Sequence, residues 1–137
     1  MTTPLYALLG FCLWTLLLLC AGIAPFRVGS VLMGKAKPSS FPADQPHGPD
    51  WYRRLMRAHA NCVENLPLFA SVVLVAHVSG YASATFDTLS LVYLGARACQ
   101  SVAHLSSGRS LVINVRFTFF LAQIVCLLWM GILVARA

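Results

Sequence analysis

Charge is what this sequence has least of. Only 10% of its 137 residues are charged, and just four residues are acidic. Soluble domains average roughly 25% charged residues, so this deficit excludes an ordinary water-exposed surface. Hydrophobic residues make up 58% of the chain, and the mean hydropathy is +0.74. The composition therefore indicates an integral membrane protein.

Two kinds of site are also missing from the sequence. Ten basic and four acidic residues give a net charge of +6, yet the basic residues form no patch with interleaved aromatic side chains, as nucleic-acid-binding surfaces do. The five cysteines form no CxxC pair and have no metal-ligand spacing, so we interpret them as small buried hydrophobic residues. We therefore predict no nucleic-acid partner and no metal site.

The N-terminal segment is uncharged over residues 2–26. It lacks the basic first region of a signal peptide, and its apolar run is longer than the hydrophobic region of one. At 1.5 Å per residue, such a helix crosses a hydrocarbon core of about 30 Å. We predict a retained membrane helix over residues 4–33.

Hydropathy and turn signals divide the rest of the chain into three more helices. We predict them over residues 50–79, 84–105 and 111–135, although Arg97 interrupts the apolar run of helix three. The connection over residues 34–50 holds four prolines and is predicted to be irregular. The sequence thus predicts one all-α domain over residues 1–137, a bundle of four transmembrane helices.

Basic residues are concentrated on one side of this predicted bundle. That side holds Lys35, Lys37, Arg53, Arg54 and Arg109. The positive-inside rule places the two connections that carry them in the cytoplasm and both termini outside. With its short loops, the chain fits a bacterial inner membrane.

The most informative motif is a polar stripe near the start of predicted helix two. At about 100° per residue, Arg57, Asn61 and Glu64 fall on one helix face. Charges at membrane depth are costly, and they usually mark a functional site that faces protein or water instead of lipid. We therefore expect a polar pocket inside the helix bundle.

Two other predicted helices add polar residues to this pocket. They are Arg97, Gln100 and His104 of helix three and Arg116 of helix four. Arginines bind carboxylates as bidentate forks, so the pocket suits a small zwitterionic ligand with more than one carboxylate. A structural alternative is an ion-pair network of Arg57, Glu64 and Arg97 that holds the helices together.

Two segments carry a resemblance to a known family. The string RAHANCVENLPLF, residues 57–69, resembles the helix-two signature of the MAPEG family, the membrane-associated proteins in eicosanoid and glutathione metabolism. The string LVYLGAR, residues 91–97, resembles its helix-three signature. The resemblance extends over about the whole chain, because the four helices, the long first loop and an arginine in early helix four also match.

The resemblance implies a homotrimer of four-helix subunits that binds glutathione between neighbours, near the cytoplasmic face. The residues it maps onto glutathione are Arg57, Asn61, Glu64 and Arg97. Gln100 and His104 of the helix-three stripe are expected to complete the lining. An arginine in early helix four stabilises the thiolate in several family members; Arg116 is the match, with Arg109 as a competitor.

The implied function is a glutathione-dependent transferase or peroxidase that acts on lipophilic electrophiles or hydroperoxides, with glutathione as co-substrate. The chain departs from the family pattern at His104 and around Phe119, where tyrosines are common. The alternative is therefore a non-catalytic scaffold of the same fold that binds membrane lipid or glutathione. A four-helix multidrug transporter fits less well, because an arginine-rich cavity repels cationic drugs.

Overall fold

The first hydrophobic segment forms one continuous helical run that contains a π-helical turn. In this computed structural model, which describes residues 1–42 and 44–137, α1 (Thr3–Leu18) leads through the π-turn Leu19–Ile23 into α2 (Ala24–Leu32). Pro25 lies just beyond the π-turn. Because proline has no N–H to donate, the α-helical ladder is already interrupted at this point, and a wider turn is accommodated there.

Three longer helices follow, and together with the first run they form the bundle. They are α3 (Asp50–Val78), α4 (Ala84–Ser106) and α5 (Ser110–Ala135). The described part of the chain contains no β-strand, so the prediction of an all-α, four-helix fold is confirmed. A short 3₁₀ turn, Pro38–Ser40, lies in the connection between α2 and α3.

The turn between α3 and α4 is built from local hydrogen bonds. Gly80 takes a φ of 72°, which a residue without a Cβ adopts easily. This lets the Tyr81 amide donate back to the Ala76 carbonyl over 2.9 Å and close α3. The Ser83 hydroxyl then accepts a 3.2 Å hydrogen bond from the Phe86 amide and caps the start of α4. The two helices are therefore antiparallel neighbours.

Aromatic side chains fill the core where α1, α3 and α4 meet. The rings of Phe69 and Tyr93 stack with a centroid distance of 4.3 Å and an interplanar angle of 1°. Phe11 of α1 packs against both rings at about 6 Å, and all three side chains are buried. This cluster forms an apolar floor close to Arg97, whose guanidinium carbon lies 5.6 Å from the Phe11 ring centroid.

The π-turn brings the first helical run very close to α3. A Cβ added to Gly22 would lie 2.1 Å from the Leu55 Cδ2 atom. Real Cβ atoms do not approach other atoms so closely, so only glycine fits at this crossing unless Leu55 moves. The approach helps to set how α1 and α3 pack beside the basic end of the bundle.

Among residues 1–42 and 44–137, three helical runs are long and apolar enough to cross a membrane: Thr3–Leu32, Asp50–Val78 and Ser110–Ala135. α4 does not qualify by composition, because it carries Arg97 and Gln100, both of which are buried against the other helices. Its 23 residues extend over about 35 Å, which also matches a bilayer core. Many large apolar side chains are exposed on the outside of the bundle. The chain is an integral membrane protein.

Both basic connections lie at the same end of the bundle. The Arg54 side chain, near the start of α3, donates from Nε to the Leu105 carbonyl near the end of α4 over 3.3 Å. At the other end, the N-terminal residues and the α3–α4 turn line a common cavity. The arginines of α3 and the residues that follow α4 therefore occupy one membrane face.

Candidate functional site

Arg97 lies at the centre of a polar cluster between helices. Only 1% of its surface is exposed. Its NH1 group donates to Asn61 Oδ1 of α3 and to Gln100 Oε1 of α4, each over 2.9 Å. Within residues 1–42 and 44–137, its Nε and NH2 atoms have no hydrogen-bond partner, and no carboxylate forms an ion pair with it. Neutral groups therefore hold a buried positive charge.

An amide network fastens α5 onto this cluster. Gln100 Nε2 donates to the backbone carbonyl of Arg116 over 3.1 Å. Gln123 of α5 is buried, and its Nε2 donates to Gln100 Oε1 over 3.1 Å and to the Phe119 carbonyl over 2.9 Å. These bonds set the register between α4 and α5 and bring the Arg116 side chain to the site.

His104 bridges α5 and α3. Arg116 NH1 lies 3.0 Å from His104 Nδ1, and His104 Nε2 lies 3.4 Å from Asn61 Nδ2. The imidazole is only partly buried. The structure thus brings together five of the predicted site residues, which are Asn61, Arg97, Gln100, His104 and Arg116.

Asn65 belongs to the cluster and was missed by the sequence analysis. Its Nδ2 donates to the Asn61 backbone carbonyl over 2.8 Å and to Asn61 Oδ1 over 3.0 Å. The signal was present in the sequence, because Asn65 follows Asn61 by four residues and such pairs meet on a helix surface. Its role is to hold the Asn61 side chain in place.

Arg57 and Glu64 are exposed on the protomer surface. In the part of the chain that the structure describes, neither forms a side-chain hydrogen bond or an ion pair, so the expectation that they line a pocket inside the bundle is not met within one protomer. Their assignment to a ligand stays a prediction. On an ideal helix, Arg57 and Glu64 are only about 20° apart, and Asn61 is displaced about 40–60° from them. That displacement turns Asn61 toward α4 and leaves the two charged residues outside.

The ion-pair alternative also fails within one protomer. Among the described residues, a single ion pair is found, and it joins Arg53 to Asp50 in the first turn of α3. Arg57, Glu64 and Arg97 therefore form no interhelical ion-pair network in one chain, and Arg97 depends on amides instead.

The two segments that carried the family resemblance meet in this cluster, through the bond from Arg97 of α4 to Asn61 of α3. A comparison with protein families matches the MAPEG family over residues 3–136. The chain belongs to the MAPEG family. No curated protein matches its sequence.

The tyrosine positions that differ in this MAPEG protein have distinct surroundings. His104 takes part in the polar cluster through both ring nitrogens. Phe119 is partly buried and contributes its backbone carbonyl to Gln123. Only one of the two departures therefore places a different polar group in the site.

An open cavity of about 390 Å³ lies at the basic end of the bundle. It is lined by Pro46, Asp50, Arg53, Arg54, Arg57 and Gly108. Arg109 is exposed and its side chain makes no hydrogen bond to the described residues, whereas Arg116 contacts His104. Of these two arginines, Arg116 therefore belongs to the polar cluster and Arg109 does not.

Proposed function

We propose that this MAPEG protein is a glutathione-dependent transferase or peroxidase of the membrane, with glutathione as co-substrate. The observation that carries the proposal is the unbalanced positive charge where α3, α4 and α5 meet. Arg97 and Arg116 belong to one hydrogen-bonded cluster, and neither has a carboxylate partner among the described residues. A site of this kind favours an anionic ligand.

Glutathione has the complementary groups. Its two carboxylates suit guanidinium forks such as those of Arg57 and Arg97, and its ammonium suits the carboxylate of Glu64. Asn61 stands between these charged groups on α3 and can offer its side-chain N–H group to the ligand. Gln100 and His104 complete the lining on α4. The charged side chains of the site thus match the ligand group by group.

The proposal includes a homotrimer, as the family resemblance implies. Arg57 and Glu64 are exposed on a helix that crosses the membrane. A charged side chain that faces lipid costs about 2.5–3.5 kcal/mol at the centre of a transmembrane helix. A neighbouring subunit packed over this face of α3 removes the two side chains from lipid and closes the ligand site between subunits. Native mass spectrometry of the detergent-solubilised protein measures this assembly directly.

The chemistry begins with the glutathione thiol. The thiolate is the nucleophile, and an ordinary thiol has a pKa of about 8.5. A decrease of about two units needs roughly 2.7 kcal/mol of preferential stabilisation of the anion, and Arg116 is the group proposed to supply it. The thiolate then attacks an electrophilic carbon and displaces its leaving group. With a hydroperoxide it takes the distal oxygen and releases an alcohol, and a second glutathione then yields the disulfide and water.

The proposed cellular setting follows from the charges at the two ends. Both basic connections lie at one end of the bundle, and we assign that end to the cytoplasmic face of a bacterial inner membrane. Glutathione then reaches the site from the cytoplasm, while the lipophilic substrate arrives through the bilayer.

A second candidate function is that of a non-catalytic lipid-binding scaffold. One observation favours it. A groove of about 390 Å³ lies between α3 and α5, near the end opposite the arginines. Its lining is Ser71, Val72, Val75, Ser79, Gly131, Val134 and Ala135. Such an apolar groove suits an acyl chain and uses none of the charged residues of the cluster.

Titration calorimetry with glutathione on the detergent-solubilised protein tests the proposal, followed by stopped-flow detection of thiolate absorbance near neutral pH. We expect saturable binding and a thiolate signal that appears with bound glutathione. Binding without any thiolate signal supports the glutathione-binding scaffold. Absence of binding to an intact, folded assembly overturns the proposed function.

A further inference from the structure

The orientation of the Asn61 side-chain amide follows from its neighbours. Arg97 NH1 and Asn65 Nδ2 both lie within 3.0 Å of Asn61 Oδ1. A guanidinium nitrogen can only donate, and Asn65 Nδ2 is identified as a donor because it also contacts the Asn61 backbone carbonyl. Oδ1 must therefore be the acceptor at this position. The Nδ2 group, which is a donor, consequently faces His104.

The tautomer of His104 follows by the same reasoning. Its Nδ1 lies 3.0 Å from Arg116 NH1, which can only donate, so Nδ1 must carry the lone pair. A neutral imidazole then bears its proton on Nε2. This Nε2–H group is 3.4 Å from Asn61 Nδ2. Two donor nitrogens are now adjacent, and neither can accept from the other.

We propose that His104 Nε2–H and Asn61 Nδ2–H are a convergent donor pair that binds one anionic atom of the ligand. The inference rests on the proposed function, and within it that atom is the thiolate sulfur of glutathione. The two nitrogens are too close for an atom to fit between them, so the acceptor lies beside the pair, within hydrogen-bond distance of both N–H groups. Besides the positive charge that it contributes to the site, Arg116 positions this donor, because its bond to Nδ1 fixes the tautomer and polarises the ring, which strengthens the Nε2–H group.

The arrangement assigns a specific task to each neighbouring charged group. Arg116 comes from α5 and engages the far side of the imidazole, while Arg97 comes from α4 and engages the far side of the Asn61 amide. Each guanidinium thus aims a neutral donor at the same point instead of contacting the ligand atom through that bond. Arg57, one turn before Asn61 on α3, remains available for a ligand carboxylate.

The tautomer can be measured without any ligand. Nitrogen-15 NMR of the full-length protein in detergent distinguishes a protonated Nε2 from a protonated Nδ1 through the shifts of the two ring nitrogens. We expect the protonated Nε2 form at His104 in the wild type. Arg116→Met should shift this tautomer toward protonated Nδ1, a change that a merely structural role for Arg116 does not predict. A protonated Nδ1 in the wild type overturns the donor pair.

Two substitutions of His104 separate its two ring nitrogens. His104→Gln keeps an N–H group near the Nε2 position, whereas His104→Asn keeps an acceptor near Nδ1 and loses the Nε2–H donor. We expect His104→Asn to reduce the thiolate fraction of bound glutathione at neutral pH by about tenfold or more, as for loss of a charge-assisted hydrogen bond. His104→Gln should stay within about threefold of wild type. His77→Gln, on an exposed position at the far end of α3, is the control and should be unchanged.

S-Methylglutathione identifies which atom the pair binds, because its sulfur cannot become an anion. If the pair binds the thiolate, His104→Asn should leave the affinity for S-methylglutathione within about threefold of wild type. An equal loss for both ligands means that the pair binds a carboxylate, which overturns the sulfur assignment. Wild-type protein that binds neither ligand overturns the proposed function and the sulfur assignment together. A protonated Nδ1 with glutathione binding intact overturns the donor pair alone.

Discussion

Arg116 and His104 are joined between α5 and α4 by a 3.0 Å contact from guanidinium NH1 to imidazole Nδ1. His104 occupies a position where a tyrosine is common in the family. A tyrosine offers its hydroxyl as a donor, and the neutral imidazole held by Arg116 offers Nε2–H instead. Replacement of tyrosine by His104 therefore does not remove a hydrogen-bond donor from the site.

Glu64→Gln should weaken glutathione binding. The change removes the partner proposed for the ligand ammonium and keeps the shape of the side chain. A hydrogen bond to a charged group is worth about 1.5–3 kcal/mol, so we expect the affinity to fall roughly tenfold to a hundredfold. Calorimetry measures the affinity, and native mass spectrometry checks that the assembly is intact. Asp87→Asn, at the other end of the bundle, is the matched control, and unchanged affinity in the Glu64 variant contradicts the assignment.

Arg116→Ala should reduce the ionisation of the bound thiol more than it reduces the affinity for glutathione. Without the guanidinium, the bound thiol should have a higher pKa, so the thiolate absorbance at neutral pH should disappear while most of the affinity is retained. Turnover should fall at least about tenfold, or about 1.4 kcal/mol in transition-state stabilisation. Arg116→Lys should be intermediate, because lysine keeps the charge but loses the planar fork.

Arg109→Ala is the control for the Arg116 variants. Arg109 is exposed and lies just before α5 without a side-chain bond to the cluster, so its removal should leave the thiolate signal unchanged. Loss of the signal in the Arg109 variant, with retention in the Arg116 variant, would show that the roles of the two arginines are exchanged. Retention in both would place the stabilisation of the thiolate elsewhere.

The two connections at the basic end should face the cytoplasm. Reporter fusions placed after Pro42 and within residues 80–85 should report opposite sides of the membrane, because these sites lie at opposite ends of α3. The fusion after Pro42 should give the cytoplasmic signal. If it reports the outside, cytoplasmic glutathione cannot reach the site, and the enzyme proposal fails on access alone.

Gly22→Ala should destabilise the bundle through the contact with α3. The added Cβ would lie 2.1 Å from the Leu55 Cδ2 atom, so Leu55 or the helices must move. Overpacking of this kind costs about 1–3 kcal/mol, and thermal unfolding in detergent should show a lower midpoint. Gly29→Ala is the control, because the nearest atom to its new Cβ is the flexible end of Met33 at 3.9 Å. An unchanged midpoint for Gly22→Ala would mean that Leu55 rotates away without cost.

Several features of this protein could be predicted from its residues alone. The scarcity of charge determined the membrane class, and the apolar runs with their turn residues determined an all-α bundle, because both depend on local composition. Helical spacing also identified most of the polar cluster, since residues three or four apart share a face wherever the helix lies. Arg97 was recognised as a polar residue within a helix that simple hydropathy does not detect, and α4 carries it in the structure.

Only the tertiary structure decided which polar residues meet. Periodicity placed Arg57, Asn61 and Glu64 on one broad face, but of the three only Asn61 is partly buried and bonded to Arg97 of α4. The donor pair depends on His104, 43 residues along the chain from Asn61, and on Arg116 from yet another helix. Sequence spacing gives angles within one helix. Distances and donor directions between helices depend on how the side chains of all four helical runs pack together. The sequence of a single helix does not contain that information.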